Sequence, residues 1–295
     1  MSKTRLAVLA LLGVGFVWGA AFVLMKDAIV LQPYMDFLAT RFTIAAIAMI
    51  LLRPVVSLRF EAGDIRYGAL IGVVLAFGYI TQTIGLDMTT AATSGFLTGL
   101  YVVFTPLIAW LFTRQKVSGK VALGVLFSIV GMGIFSGAAN STEFQLGQIW
   151  LVVCAVLYAV HILLLGHYGK TRNSYRFAML QIAFVAMVTW GFALVDGYQP
   201  PPNFEVWFAV LFTALLSTVL AFWIQTWAQT LLDPARVALL ITSEVIFTAL
   251  LAIGLGQEPL TLAIVVGGGM MLTAMLIVEW PRKGEKPLVQ TQLHE

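Results

Sequence analysis

Ten runs of about 20 apolar residues follow one another through this chain, near 6–25, 34–52, 66–86, 93–113, 119–136, 147–166, 175–195, 206–228, 235–255 and 260–278. Nothing else in it constrains the fold as strongly. A hydrocarbon core about 30 Å thick is crossed by roughly 20 apolar residues in a helix, so each run is long enough to span a bilayer. The runs are continuously apolar and lack the alternation of a barrel strand. The expected fold class is therefore all-α integral membrane, with every backbone polar group satisfied inside its own helix. Charge agrees: 11% of the residues are Asp, Glu, Lys or Arg, against about 25% in soluble domains. A soluble enzyme, a nucleic-acid-binding protein and a disordered chain are excluded on that ground. The single cysteine, Cys154, permits no intramolecular disulfide. The first run is long and has no small-residue cleavage site before Lys26 and Asp27, so it reads as a span and not as a secretory leader.

The basic residues set an orientation. With the N-terminus placed in the cytoplasm, Lys3, Arg5, Arg53, Arg59, Arg66, Arg114, Lys116, Lys120, Lys170, Arg172, Arg176, Arg236, Arg282, Lys283 and Lys286 all fall on the cytoplasmic side. Of the 17 basic residues, this leaves Lys26 outside and Arg41 within the second span. The positive-inside bias thus predicts a multi-pass protein of the cytoplasmic (inner) membrane with both termini in the cytoplasm. The net charge of +3 reports this topology and implies no nucleic-acid partner.

An internal repeat is also present. Shifting the chain by 143 positions lays Gln82-Thr83 on Gln225-Thr226, Phe104-Thr105 on Phe247-Thr248 and Leu107 on Leu250, with Ala92, Ala109 and Gly124 on Ala235, Ala252 and Gly267. The unit holds five spans, an odd number, so its two copies lie in the membrane with opposite orientation. The expected division is 1–138 for the first five-helix repeat, 145–281 for the second, inverted one, and 282–295 for a cytoplasmic tail. Inverted repeats of this kind build a site at the midplane between halves that rock against each other.

The segment Gly95 to Leu107 (GFLTGLYVVFTPL), the pair Arg41-Phe42 and Gly256-Gln257-Glu258 resemble the drug/metabolite transporter superfamily, EamA-type branch. The similarity runs over essentially the whole chain. It implies ten helices as five plus five, and export or exchange of small metabolites, including amino acids and particularly aromatic ones. Two departures stand out: Glu244-Val245 where many members carry Glu-Pro, and Gln115 where the first half of the family often has Glu, the partner of Glu258.

A charge at mid-bilayer costs about 2.5–3.5 kcal/mol on insertion scales, so each polar group inside a span needs a reason. Glu244 lies near the centre of the ninth run, and its repeat mate is Tyr101, central in the fourth. Two symmetry-related polar positions at the midplane suit a cavity between the halves, with Glu244 a candidate proton acceptor. A helix contact through Ser or Thr partners accounts for Glu244 equally well. His161 reads first as a packing residue and second as a substrate contact. It has no His, Cys or acid four residues away, so no metal site is expected. Arg41, about seven residues below the outer surface, is expected to snorkel, with a substrate carboxylate as the alternative partner.

Trp18, Tyr79, Tyr101, Tyr158 and Trp223 fall inside spans and not at the interfacial belt. Buried Tyr and Trp tips want partners, so as a set these residues point to a cavity for a flat or amphiphilic solute. Gln82 and Gln225 are candidate gate or helix-contact residues. The spacings Gly15-x-x-x-Gly19, Gly68-x-x-x-Gly72, Gly95-x-x-x-Gly99 and Gly133-x-x-x-Gly137 predict close helix packing. Pro106 is expected to kink the fourth span, with no proline at the matching Ala249.

A secondary carrier fits these features best. The expected substrate-binding set is Trp18, Tyr79, Gln82, Tyr101, Tyr158, His161, Trp223 and Glu244, with Arg41 either structural or a carboxylate partner. No phosphate-binding loop is present, no catalytic residues or cofactor are expected, and the partners are the bilayer and a small solute. A monomer suffices and a homo-oligomer stays open. The alternatives are a multidrug or other-metabolite exporter, an enzyme acting on lipid-linked substrates, which would need clustered acids or His near one interface, and a channel, which would need a filter.

Overall fold

The computed structural model describes residues 2–52, 60–113, 118–135, 146–195, 197–256 and 259–279. The first half comprises α1 (Lys3–Leu31), α2 (Tyr34–Leu51), α3 (Asp64–Met88), α4 (Ala91–Thr98) continued by α5 (Tyr101–Thr113), and α6 (Gly119–Phe135). The second comprises α7 (Leu146–Tyr168), α8 (Ser174–Ala193), then α9 (Phe204–Ala214), a π-helical turn (Leu215–Leu220) and α10 (Ala221–Ala228) in one rod. It closes with α11 (Pro234–Ile241) continued by α12 (Ser243–Gly254), and α13 (Leu262–Glu279). No strand occurs among the described residues. Eight of the ten rods are long and apolar enough to cross a membrane. The fifth and tenth are shorter apolar helices, Gly119–Gly131 and Leu262–Ala274. They pair with each other, a Cβ on Gly131 coming within 2.7 Å of the Gly267 carbonyl oxygen.

Helix starts follow the local sequence. The side chains of Ser2, Thr90, Asn173, Asn203 and Asp233 accept the backbone N–H three residues on, and Pro234 follows its cap at the first helical position. Beyond the caps the helices are apolar around most of their circumference. Leu9, Phe16, Ile47, Leu126, Phe208 and Leu272 lie exposed on the outside, where lipid is the matching solvent. Buried threonines are satisfied within their own helices: Thr83, Thr189 and Thr213 each donate to the carbonyl four residues back.

The fourth and ninth rods are interrupted at matching positions, Gly99-Leu100 and Thr242. Gly99 and Thr242 have nearly the same backbone angles, −56°/−15° and −60°/−13°. Around both, bonds tighten to three-residue spacing: Leu100 N–H to Leu97 O, Val102 N–H to Gly99 O, and Val245 N–H to Thr242 O. Pro106, expected to kink the fourth span, sits inside α5, and the interruption of the rod lies before it. The break lies earlier and is symmetric because both copies change helix type just before their central polar residue.

The halves interlock. A Cβ on Gly19 of α1 would stand 2.8 Å from Phe247 Cβ and from Thr248 N of α12, and one on Gly72 of α3 would stand 2.7 Å from Gln181 O and Phe184 Cβ of α8. The small-residue spacings at 15–19 and 68–72 thus let a helix of one half touch the backbone of the other. Gly133 faces open space and Gly137 lies outside the described residues. At the basic end, Asp64 pairs with Arg172 at 3.0 Å and Glu61 with Arg176 at 2.7 Å. Tyr67 stacks on Tyr168 there with ring centroids 4.1 Å apart, and Arg172 also donates to the Tyr168 carbonyl. At the opposite end, Lys26 Nζ donates to the carbonyls of Leu86 and Asp87. Arg53, Arg59, Arg114, Gln115, Lys116, Glu258, Arg282, Lys283, Lys286 and the tail 282–295 lie outside the described residues.

Candidate functional site

A cavity opens between the halves, lined by aromatic, polar and charged side chains. Its walls are drawn from both repeats in register. Trp18 is matched by His161, Tyr79 by Phe222, Gln82 by Gln225 and Tyr101 by Glu244. All four pairs are separated by the repeat offset of 143, and in the last pair the two members bond to each other. The Tyr101 hydroxyl donates to Glu244 Oε1 over 2.9 Å. Each residue follows the interruption in its own rod, and each offers its carbonyl to the threonine four residues on, Thr105 at 2.7 Å and Thr248 at 2.8 Å. Repeated sequence has become repeated geometry, with a hydroxyl on one side and a carboxyl on the other.

Of the remaining predicted residues, all but Trp223 line the same cavity. Tyr158 donates to Gln82 Oε1 at 3.1 Å. His161 bonds through Nε2 to Gln181 Oε1 at 2.9 Å, and Gln181 Nε2 in turn donates to Phe177 O, which fixes the amide and assigns the imidazole proton to Nε2. Trp18 Nε1 donates to the Ser217 carbonyl at 2.8 Å. Phe222, which the sequence reading passed over, holds the aromatic wall together: it contacts Trp18, Tyr79 and His161 with centroids 5.6, 6.1 and 6.0 Å away. Its signal in the sequence is the repeat offset from Tyr79. Trp223, expected in the cavity, is 45% exposed on the outside and packs edge-on against Tyr175. The next residue along a helix points about 100° away, and Phe222 takes the inward direction.

Arg41 does not snorkel. It is 1% exposed and lines the cavity. Its Nε donates to Thr218 Oγ1 at 3.0 Å, and Nη2 donates to Ser217 Oγ at 3.1 Å and to the Tyr79 hydroxyl at 3.4 Å. Among the described residues Nη1 has only the Met25 sulfur, at 3.2 Å, and the guanidinium lies 4.8 Å from the Tyr79 ring centroid. Snorkelling fails because the second helix turns Arg41 inward, to polar groups nearer than the surface. Ser217 and Thr218 sit in the π-helical turn, where Thr218 Oγ1 donates to the carbonyl five residues back, on Thr213. Single π turns cluster at functional sites. Nothing in the sequence marks this one, because the matching segment of α3 is regular helix. Among the described residues no group of His, Cys, Asp and Glu has the arrangement to hold a metal ion.

The model of the EamA-like transporter family matches residues 5–137 and again 145–280, one match on each half. The chain belongs to the EamA-like transporter family. An uncharacterized transporter of Archaeoglobus fulgidus is 30% identical over 94% of this chain and 86% of its own length. The uncharacterized transporter YvbV of Bacillus subtilis is 23% identical over 97% of this chain and 95% of its own. A crystal structure superposes with a TM-score of 0.78 at 18% identity, over 92% of this chain and 97% of that one, which shows the shared fold.

Proposed function

We propose that this EamA-like protein is a secondary transporter that carries an aromatic or amphiphilic amino acid outward across the cytoplasmic membrane by alternating access. The basic end faces the cytoplasm in this reading, following the positive-inside bias. One observation supports it above others: the Tyr101 hydroxyl of one half donates to the Glu244 carboxyl of the other, on the wall of the cavity between them. A group held across the seam between two halves is affected by any movement of one half against the other. Glu244 is also the ionisable acid of the cavity, so it is the proposed point where a proton gradient acts. Extrusion of cationic drugs would use the same aromatic walls and Glu244, but Arg41 on the cavity wall opposes a cation.

The test is flux of radiolabelled phenylalanine, tyrosine and tryptophan in proteoliposomes, with and without a pH gradient. Wild-type protein is expected to show flux that responds to the gradient, and Glu244→Gln to lose that response and at least tenfold of the rate. Unchanged flux and unchanged pH dependence in Glu244→Gln would remove the proton and polar role assigned here.

A further inference from the structure

We infer that Arg41 is a carboxylate subsite: the solute carries a single anionic group, and that group docks on the Arg41 guanidinium. This rests on the carrier reading above and narrows its substrate to a class. A guanidinium stays charged and presents five N–H donors in a fixed fork. When buried, such a group is normally paired with an acid, because an uncompensated buried charge is expensive. Arg41 is buried, yet among the described residues no carboxylate lies within ion-pair distance; its partners are three hydroxyls and a thioether. The thioether is a weak acceptor, so the fork holds capacity that the protein itself does not use. Because Arg41 lines the cavity, an entering carboxylate can take one N–H bond from Nη1 and a second, parallel one from Nη2 by displacing its 3.4 Å contact with the Tyr79 hydroxyl.

The charge of the ligand follows from what else the wall offers. Glu244 lies on the same cavity, and a dianion such as a phosphate monoester would meet its carboxyl with one arginine as counter-charge. A single carboxylate brings one negative charge fewer and incurs a smaller penalty. Gln225 adds a buried Oε1 with no partner among the described residues, an acceptor open to an N–H of the solute. Carboxylate at one place and N–H donor at another describe an amino acid better than a simple acid. Ser217 and Thr218 are positioning residues here: the π turn brings two adjacent hydroxyls to the guanidinium and holds it toward the cavity while no ligand is bound.

The experiment uses the full-length protein in lipid nanodiscs and four probes of one shape: L-phenylalanine, 3-phenylpropionate, L-phenylalaninamide and phenethylamine. Thermal shift gives the affinity of each, since a ligand of the native state raises apparent stability. Wild type is expected to bind the two carboxylates at least tenfold more tightly than the amide and the amine. Arg41→Gln is expected to bind phenylalanine and its amide alike, and Arg41→Lys to keep a reduced preference for the acid. Should Arg41→Gln not fold, the wild-type series and Arg41→Lys still decide. Amide or amine binding as tight as the acid in wild type, or no binding by any probe, overturns the subsite. So does an unchanged acid-to-amide ratio in Arg41→Gln. Inorganic phosphate producing a shift as large as the acid overturns the carboxylate assignment. Counterflow of the same probes in proteoliposomes separates the two proposals. Flux of phenylalaninamide equal to phenylalanine removes the subsite and keeps the carrier; tight acid binding without flux of any probe removes the carrier and keeps the subsite.

Discussion

The two halves of this protein share a backbone and divide the chemistry. At matching positions the first half supplies Trp18, Tyr79 and Tyr101, and the second supplies His161, Phe222 and Glu244. Arg41 has a phenylalanine, Phe184, as its repeat mate, and the leucine Leu75 corresponds to Thr218, which Arg41 bonds. The π turn occurs in the second half alone among the described residues. What the halves hold in common is thus helix order, the interruption before the central polar residue and the threonine that follows it. What they do not share is charge. A duplicated scaffold gives two walls and a seam, and the divergence at a few facing positions turns that seam into a site with one cation and one carboxyl.

Forcing the halves to be alike in packing is expected to have the largest effect. Gly19 and its mate Ile162 occupy equivalent places in the repeat, and the glycine lies against a neighbouring backbone, with Thr248 N 2.8 Å and Glu244 O 3.0 Å from an added Cβ. Gly19→Ile gives the first half the residue of the second. The neighbour here is helix backbone, which cannot rotate aside, so the cost is expected at or above the usual overpacking range of about 1–3 kcal/mol. Size-exclusion profile and melting temperature in detergent check it: a sharp loss of monodisperse protein is expected, and a melting temperature equal to wild type would mean that α1 and α12 are not held this closely.

How much of this was readable beforehand depends on the kind of signal. Glu244 and Tyr101 are legible because polar groups stand out in apolar runs and the repeat pairs them across 143 positions. The ten-rod order is legible for the same physical reason, a lipid solvent that enforces apolar length. Phe222 carries no such contrast, since a phenylalanine in a span looks like any lipid-facing residue. Arg41 is conspicuous, but its direction is set by where α2 packs against α8, which composition does not encode. Ser217 and Thr218 are the hardest case. Hydroxyls in a span ordinarily bond back to their own helix, as Thr83 and Thr189 do, and only the π turn carries them to Arg41.

An intermediate effect follows from removing the hydroxyl that distinguishes the second half at this place. Thr218→Val is nearly isosteric but deletes the acceptor for Arg41 Nε and the donor to Thr213 O. Leaving buried partners unsatisfied costs about 1–3 kcal/mol, more where one of them is charged. Ser217→Ala takes a single acceptor from Arg41 and leaves the Ser217 carbonyl bonded to Trp18 Nε1, so its effect should be about 1 kcal/mol and smaller than that of Thr218→Val. The two melting temperatures order the contributions. Equal, negligible shifts would mean that the π turn does not hold Arg41.

The smallest effect is expected one residue beyond the seam. Phe222 and Trp223 are neighbours in α10, yet one is 2% exposed within the aromatic wall and the other 45% exposed on the outer surface. Trp223→Phe keeps an aromatic ring against Tyr175, whose hydroxyl remains bonded to the Met49 carbonyl. Outward substitutions of this kind change stability by about 0.5 kcal/mol or less. Substrate affinity and flux should therefore match wild type, although indole is the larger and more polar ring. A Trp223→Phe variant with altered affinity would place the eighth rod in a different rotation, turning Trp223 inward and Phe222 away. That rotation would also carry Ser217 and Thr218 off Arg41, so the least disruptive substitution is the one that checks the register on which the others depend.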